Sequence, residues 1–161
     1  MEEIEFRVAG NDSDFSEARS LFRAYADSLS FTLSYQNFEA ELATLSRQYA
    51  HPEGAMILSV YQNQAMGCVG IRRVSEEVAE LKRLFVKTEF RKHRVGKQLL
   101  EKAIEQAGVL GYRFVRLDTV PGQEKAQQLY RDAGFYTIDA YRFSPIAGTI
   151  YMEKKLDVPA I

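Results

Sequence analysis

The chain reads as one mixed α/β domain of 161 residues, a central, largely antiparallel sheet flanked by helices. Three observations predict this. The β-rich runs Ala55–Tyr61 and 65–74 are separated only by Gln62-Asn63-Gln64, which reads as a hairpin connection, and a third run at Val78–Val86 completes a meander. A strongly amphipathic helical pattern then intervenes before a buried apolar strand at 114–120. Parallel neighbours need crossover connections, so the early hairpins exclude a fully parallel sheet.

Taken in order, residues 4–9 form a short first strand, and Asn11-Asp12-Ser13-Asp14 supplies candidate N-caps. Phe15, Ala18, Leu21, Phe22, Tyr25 and Leu29 follow at helical spacing. After 30–34, Tyr35, Phe38, Leu42, Leu45 and Tyr49 mark a second helix, ended by His51-Pro52-Glu53-Gly54. Beyond the meander, Val95, Leu99, Leu100, Ala103, Ile104, Ala107 and Leu110 make one apolar stripe, with Lys97, Gln98, Glu101, Lys102 and Glu105 opposite and Gly111 as C-cap. A short helix at 124–133 closes at Gly134, and 135–141 and 149–155 read as two final strands.

Composition bounds the function. With 46% hydrophobic and 27% charged residues the chain has the make-up of a globular domain, and its net charge of -1 favours neither nucleic acid nor an anionic membrane. Its single cysteine, Cys68, excludes an intrachain disulfide, and with two distant histidines the sequence offers no metal site. Cys68 sits among Met66, Val69 and Ile71, as a buried structural thiol does. The first residues lack the basic and apolar regions of a signal peptide, and no apolar run is long enough to span a bilayer; the expected location is cytoplasmic.

Against this neutral background, Arg91-Lys92-His93-Arg94-Val95-Gly96-Lys97 places four formal positive charges in seven residues at the start of a helix. Helix N-termini carry the positive end of the macrodipole and normally attract Asp and Glu. A bound anion, such as a phosphate, removes the conflict. The segment is not a nucleotide-triphosphate loop, because Gln98 stands where Ser or Thr is required and no glycine stands five residues before Gly96.

The order strand, basic loop, amphipathic helix, strand and short helix ending Leu-Tyr-x-x-x-Gly-Phe carries a resemblance. With Glu80-Leu81-Lys82-Arg83-Leu84-Phe85-Val86, the segment 91–96, and Ala126-Gln127-Gln128-Leu129-Tyr130-Arg131-Asp132-Ala133-Gly134-Phe135, the chain resembles the GNAT superfamily of acyl-CoA-dependent N-acetyltransferases over residues 57–156. The first 50 residues match only in element order. The family's pyrophosphate loop reads Gln/Arg-x-x-Gly-x-Gly/Ala; Arg91, Arg94 and Gly96 take its first, fourth and sixth places, with arginine replacing the fourth-place glycine.

The resemblance implies acetyl-CoA as cosubstrate, with backbone N–H groups of His93, Arg94, Val95, Gly96 and Lys97 cradling the pyrophosphate and Lys92 or Lys97 reaching the 3′-phosphate. It implies a bulge in the strand ending Leu84, Phe85 and Val86 and a splay from 114–120, where free main-chain groups pair with the pantetheine arm and one N–H near Leu84 or Phe85 holds the thioester oxygen. Gln123 takes a place where many relatives carry an asparagine that bonds the cofactor arm. Tyr130 matches the tyrosine that protonates departing thiolate, and a phenol with an ordinary pKa of about 10 can donate at neutral pH. Glu80 lies where some members place a general base acting directly or through water; Asp118 is an alternative, and a Glu80 paired with Lys82 or Arg83 on a sheet face is the structural one.

The expected reaction is acetyl transfer to a primary amine of a small-molecule or amino-acid-like acceptor by direct attack in a ternary complex. The walls at 28–35 and 141–148 would hold the acceptor, and Arg142 suits a carboxylate on it. The rival reading is a non-catalytic CoA-binding regulatory module. A nucleic-acid role has only one short cationic loop behind it. Strands near the C-terminus suit a homodimer, and the sequence does not separate dimer from monomer.

Overall fold

The computed structural model describes residues 3–29 and 37–157, with Lys92 and His93 described through their backbone. Among the described residues, β1 (Glu5–Val8), β2 (Ala55–Tyr61), β3 (Gln64–Arg73), β4 (Val78–Val86), β5 (Phe114–Thr119), β6 (Tyr136–Ile138) and β7 (Ile150–Lys155) form one sheet in the order β1-β2-β3-β4-β5-β7-β6. Only the β4–β5 pair is parallel, and a helical crossover (Val95–Val109) joins its two strands, as parallel neighbours require. Gln62 (φ 50°) and Asn63 (φ 63°) turn β2 into β3 in the left-handed region, as a two-residue type I′ hairpin requires.

Helix α1 (Asp12–Asp27) starts at Asn11, whose side chain accepts from the Asp14 N–H at 2.8 Å. With α2 (Phe38–Ala43) and α3 (Leu45–Gln48) it buries Phe22, Leu42, Leu45 and Tyr49 against Met56, Leu58 and Cys68 on one face of the sheet. The other face carries α4 (Val95–Val109) and α5 (Glu124–Asp132), where Leu99, Leu100, Ala103 and Tyr130 pack on Val69, Ile71, Leu81 and Leu117. No helix of the described residues is long and apolar enough to cross a membrane.

Two sequence expectations need correction. The helix marked by Tyr35 to Tyr49 is two pieces, and its first residues lie outside the described ones. It breaks at Thr44, whose hydroxyl donates to the Ala40 carbonyl at 2.8 Å and accepts from Gln48 Nε2 at 2.7 Å, so side-chain bonds compete with the helical ladder. The strand expected over 135–141 pairs only from Tyr136 to Ile138, because the chain then leaves the sheet edge to bring Tyr141 back over β4.

The feature that shapes the site is a bulge in β4. Cys68 pairs with Phe85 but Gly70 pairs with Lys82, so β4 has one residue more than β3 over this stretch, and Arg83 takes φ 60° to accommodate it. Arg83 is buried, its Nη2 2.7 Å and Nε 3.3 Å from the two carboxylate oxygens of Glu41 on α2. Tyr49 donates to the same carboxylate at 2.6 Å, and the Arg83 guanidinium lies 5.8 Å and 5.5 Å from the Tyr25 and Phe38 rings. Gly70 makes room for this cluster: a Cβ there would lie 2.5 Å from the Tyr49 ring. Burial alone would raise the Glu41 carboxyl, but the Arg83 guanidinium and the Tyr49 hydroxyl hold it below its ordinary value.

Removing one partner of such a pair strands the other charge. Glu41→Ala is expected to cost about 3–5 kcal/mol of unfolding free energy in urea titration, against about 0–1 kcal/mol for an exposed pair such as Arg113–Glu77.

Candidate active site

Strands β4 and β5 run together from Val78↔Phe114 to Glu80↔Arg116 and then separate. Past Glu80, β4 stays paired with β3, and past Arg116, β5 stays paired with β7. The bulge and Arg83 cluster pull β4 one way while β7 holds β5 the other. Leu84, Phe85 and Val86 therefore border a V-shaped opening, with Phe85 and Val86 largely buried and Leu84 half-buried.

At the mouth of the V the chain makes a 3₁₀ turn, Thr88–His93, and enters α4. Arg94 stands at the N-cap with φ 56° and ψ 28°, the left-handed conformation for which glycine is the usual choice. Arginine thus keeps the backbone turn that a fourth-place glycine would make. No side chain caps α4 and no acidic residue lies in its first turn. The N–H groups of Val95, Gly96 and Lys97 have no intrahelical acceptors. Val95 is buried while Lys97 is exposed. A Cβ on Gly96 would only meet Leu129 at 3.8 Å and Val86 at 4.0 Å, so no protein atom forbids one; it would occupy the gap between the end of β4 and α5. Arg91 turns back to β4, donating from Nε to the Val86 carbonyl at 2.8 Å with its guanidinium 5.7 Å from the Phe85 ring centre. Gln123 is the N-cap of α5, half-buried, and its side chain makes no capping bond.

Tyr130 owes its position to the end of α5. Gly134 takes φ 98° and donates to Arg131, and Phe135 donates to the Tyr130 carbonyl at 3.0 Å, the Schellman pattern in which the residue after the glycine packs on the last turn. The Tyr130 and Phe135 rings accordingly meet edge to face at 5.8 Å. Tyr130 is only 6% exposed, and burial, then Tyr25 and Asp118, push its hydroxyl above the ordinary tyrosine value. It stays protonated across the neutral range. Among the described residues, none is hydrogen-bonded to its hydroxyl.

A polar face lies beside the V. Cross-strand register puts Arg72, Glu80, Arg116 and Glu153 in one row across β3, β4, β5 and β7. Glu80 is 1% exposed and both its oxygens are engaged: Arg72 contacts Oε1 through Nε (3.0 Å) and Nη2 (2.9 Å), while Tyr141 donates to Oε2 at 2.7 Å and Arg142 pairs with it. Of the two partners expected for it, Arg83 pairs instead with Glu41. Arg116 pairs with Glu153 at 2.8 Å, and its guanidinium lies 5.5 Å from the Tyr141 ring centre.

The next row of the same face holds Lys82 and, across the opening, Asp118 and Tyr151. Lys82 is 5% exposed, and burial, then the positive charges of Arg83 and Arg72, push its amine down to about 7, against the pull of Glu41 and Asp118. Sequence reasoning treated Lys82 only as a salt-bridge partner. The available signal was a lysine in a strand whose neighbours are buried on both faces. Cys68 is fully buried, its thiol donating to the Arg83 carbonyl at 3.4 Å and pushed up by that burial.

A cleft of about 480 Å³ opens on this row, lined by Asn37, Glu41, Gln48, Arg72, Asp118 and Arg142, with the highly exposed Phe143 at its rim. A wider one of about 630 Å³ lies beyond Arg72 and Arg142 and reaches Glu53 and Val74, away from Asp118. Of the expected acceptor walls, 141–148 borders the smaller cleft through Arg142 and Phe143 and the wider one through Tyr141 and Arg142, whereas 30–35 lies outside the described residues.

The comparisons with known proteins agree with this geometry. A family model described as the acetyltransferase (GNAT) family matches residues 18–135. An uncharacterized N-acetyltransferase of Schizosaccharomyces pombe is 31% identical over 145 residues, 89% of each chain. A GNAT-family acetyltransferase from Staphylococcus aureus shares the fold with a TM-score of 0.80 at 20% identity, covering 96% of this chain and all (100%) of that one. Another, from Elizabethkingia anophelis with acetyl-CoA bound, gives a TM-score of 0.65 at 19% identity, over 97% of this chain and 100% of that one.

The state of Lys82 is readable from stability. Its folded value of about 7 lies below the ordinary 10.5, so between those limits the unfolded chain binds a proton that the folded chain does not. Wild-type stability is therefore expected to rise with pH across that window, relative to Lys82→Met, by about 1 kcal/mol per pH unit, and the difference should flatten below the folded value. Paired urea titrations at several pH values measure it; parallel curves would mean that the amine is charged in the fold.

Proposed function

Because the chain belongs to the acetyltransferase (GNAT) family, we propose that it moves an acetyl group from acetyl-CoA to a primary amine of a small-molecule, amino-acid-like acceptor, by direct attack in a ternary complex. The observation that carries this reading is the V between β4 and β5, bulged at Arg83, with the uncapped N-terminus of α4 at its mouth. Acetyl-CoA supplies a thioester whose acyl carbon the amine attacks. The residues present fit it. On the edge away from β3, backbone groups of the segment Leu84, Phe85 and Val86 offer partners to an extended arm and to the thioester oxygen, apart from the Val86 carbonyl, which holds Arg91 Nε. The N–H groups at 95–97, with Arg94 and Lys97 beside them, suit a pyrophosphate. The gap between Val86 and Leu129 that Gly96 leaves free gives the arm a path between the two.

Tyr130 is the proton donor to the leaving thiolate, since burial keeps its hydroxyl protonated and no hydrogen bond to another described residue occupies it. Glu80 acts as a positioning residue: it holds Arg72, Tyr141 and Arg142 at the cleft. Arg72 and Arg142 suit a carboxylate on the acceptor, while Asp118 and Glu41 favour its ammonium form.

Thiol release from acetyl-CoA with a panel of amino acids and amines, run beside calorimetric titration with acetyl-CoA, tests the reading. Wild-type protein is expected to bind and turn over. Tyr130→Phe should lower kcat by about 10²–10⁴-fold with acetyl-CoA affinity nearly unchanged. Arg91→Glu combined with Arg94→Glu should weaken binding itself. Binding without turnover for every amine would support a non-catalytic module instead.

A further inference from the structure

An acceptor amine arrives as an ammonium and must lose a proton before it can attack. The carboxylates of the cleft are poorly placed to take it. Glu80 has both oxygens bound to Arg72, Tyr141 and Arg142, Glu41 has both bound to Arg83 and Tyr49, and Asp118 faces Arg142 Nε at 3.8 Å. We infer that the ε-amine of Lys82 is the general base that takes the proton from the acceptor ammonium.

The placement is that of a base. Lys82 lies opposite Gly70, over which the Tyr49 ring packs, and faces Asp118 across the opening of the V. The charged groups around it are Glu41 from α2, Arg72 from β3, Arg83 on its own strand and Asp118 from β5, with Arg142 of the last loop beyond Asp118. Three of these neighbours, Glu41, Arg72 and Asp118, line the smaller cleft. It is also two residues along β4 from Leu84, about 7 Å of strand, which puts it between the cleft and the main-chain groups assigned to the thioester. Its low pKa keeps a large fraction of the amine neutral near pH 7. Asp118 and Glu41 then stabilise the ammonium that forms.

The protons balance. The first leaves the acceptor ammonium for Lys82 and passes to solvent after turnover. As the N–C bond forms and the C–S bond breaks, the nitrogen gives up its second proton, which replaces the one that Tyr130 donates to the thiolate.

The inference rests on the acetyl-transfer reading, and one experiment separates them. The pH profile of kcat/KM for wild-type thiol release should rise through a midpoint near the Lys82 value of about 7. Lys82→Met and Lys82→Arg should each lose about 10²–10⁴-fold at the plateau and lose this limb, while retaining acetyl-CoA affinity. Lys82→Arg keeps a cation in place but cannot take a proton, so its loss of activity is not a loss of charge. The pH-dependent stability difference between wild type and Lys82→Met reports the neutral amine without turnover. A wild-type profile lacking that limb, a limb retained in either variant, or no stability difference overturns the role of Lys82 and leaves the transferase reading standing. No thiol release by wild-type protein at any pH overturns both.

Discussion

The buried bond between Arg83 and Glu41 is the constraint on which the rest of this site depends. A positive φ at an arginine in mid-strand is unfavourable in isolation, and a buried guanidinium more so. Glu41, Tyr49 and two aromatic faces compensate both, and in doing so they tie α2 and α3 to the one place where β4 departs from its register. The departure opens β4 from β5 and leaves strand backbone without a neighbouring strand. A sheet that closed fully here would be better paired and would have no site.

Two kinds of charge arrangement follow from that opening. On the α4 side, cations gather at a helix N-terminus with nothing anionic among the first-turn residues, an arrangement that fits a phosphate better than solvent. On the α2 side, charges alternate across the strands as Arg72, Glu80, Arg116 and Glu153, each satisfied by a neighbour. The row beyond is different. Lys82 and Asp118 flank the gap where β4 and β5 have parted, so the strand pairing that joins the first row is interrupted there. Lys82, its amine lowered by burial, thus stands beside the gap rather than within the continuous ladder.

Much of this was legible in the sequence where the signal is local. Alternation and the turn residues 62–63 marked the meander, the stripe from Val95 to Leu110 marked α4, and Tyr130-x-x-x-Gly134-Phe135 encoded a helix end that also fixes the tyrosine. The cation cluster at 91–97 was readable because it violates the usual charge preference of a helix start. What escaped was non-local or conformational. Nothing in the residues around Thr44 announces that its hydroxyl will break the helix, and the bulge in β4, which the family resemblance implied, has no glycine to place it at Arg83. Glu80 was visible as a candidate, but the residues that hold its carboxylate, Arg72, Tyr141 and Arg142, come from other parts of the chain. Lys82 was hidden by the same limit, since its character comes from burial and from guanidiniums on two strands.

Amide hydrogen exchange with and without acetyl-CoA tests the central claim most directly, because the account assigns the cosubstrate to backbone groups. Protection is expected to concentrate at residues 84–86 and at the start of α4, 95–97, with little change in β1 or β2. Protection confined to other segments, or none at saturating acetyl-CoA, would contradict the account.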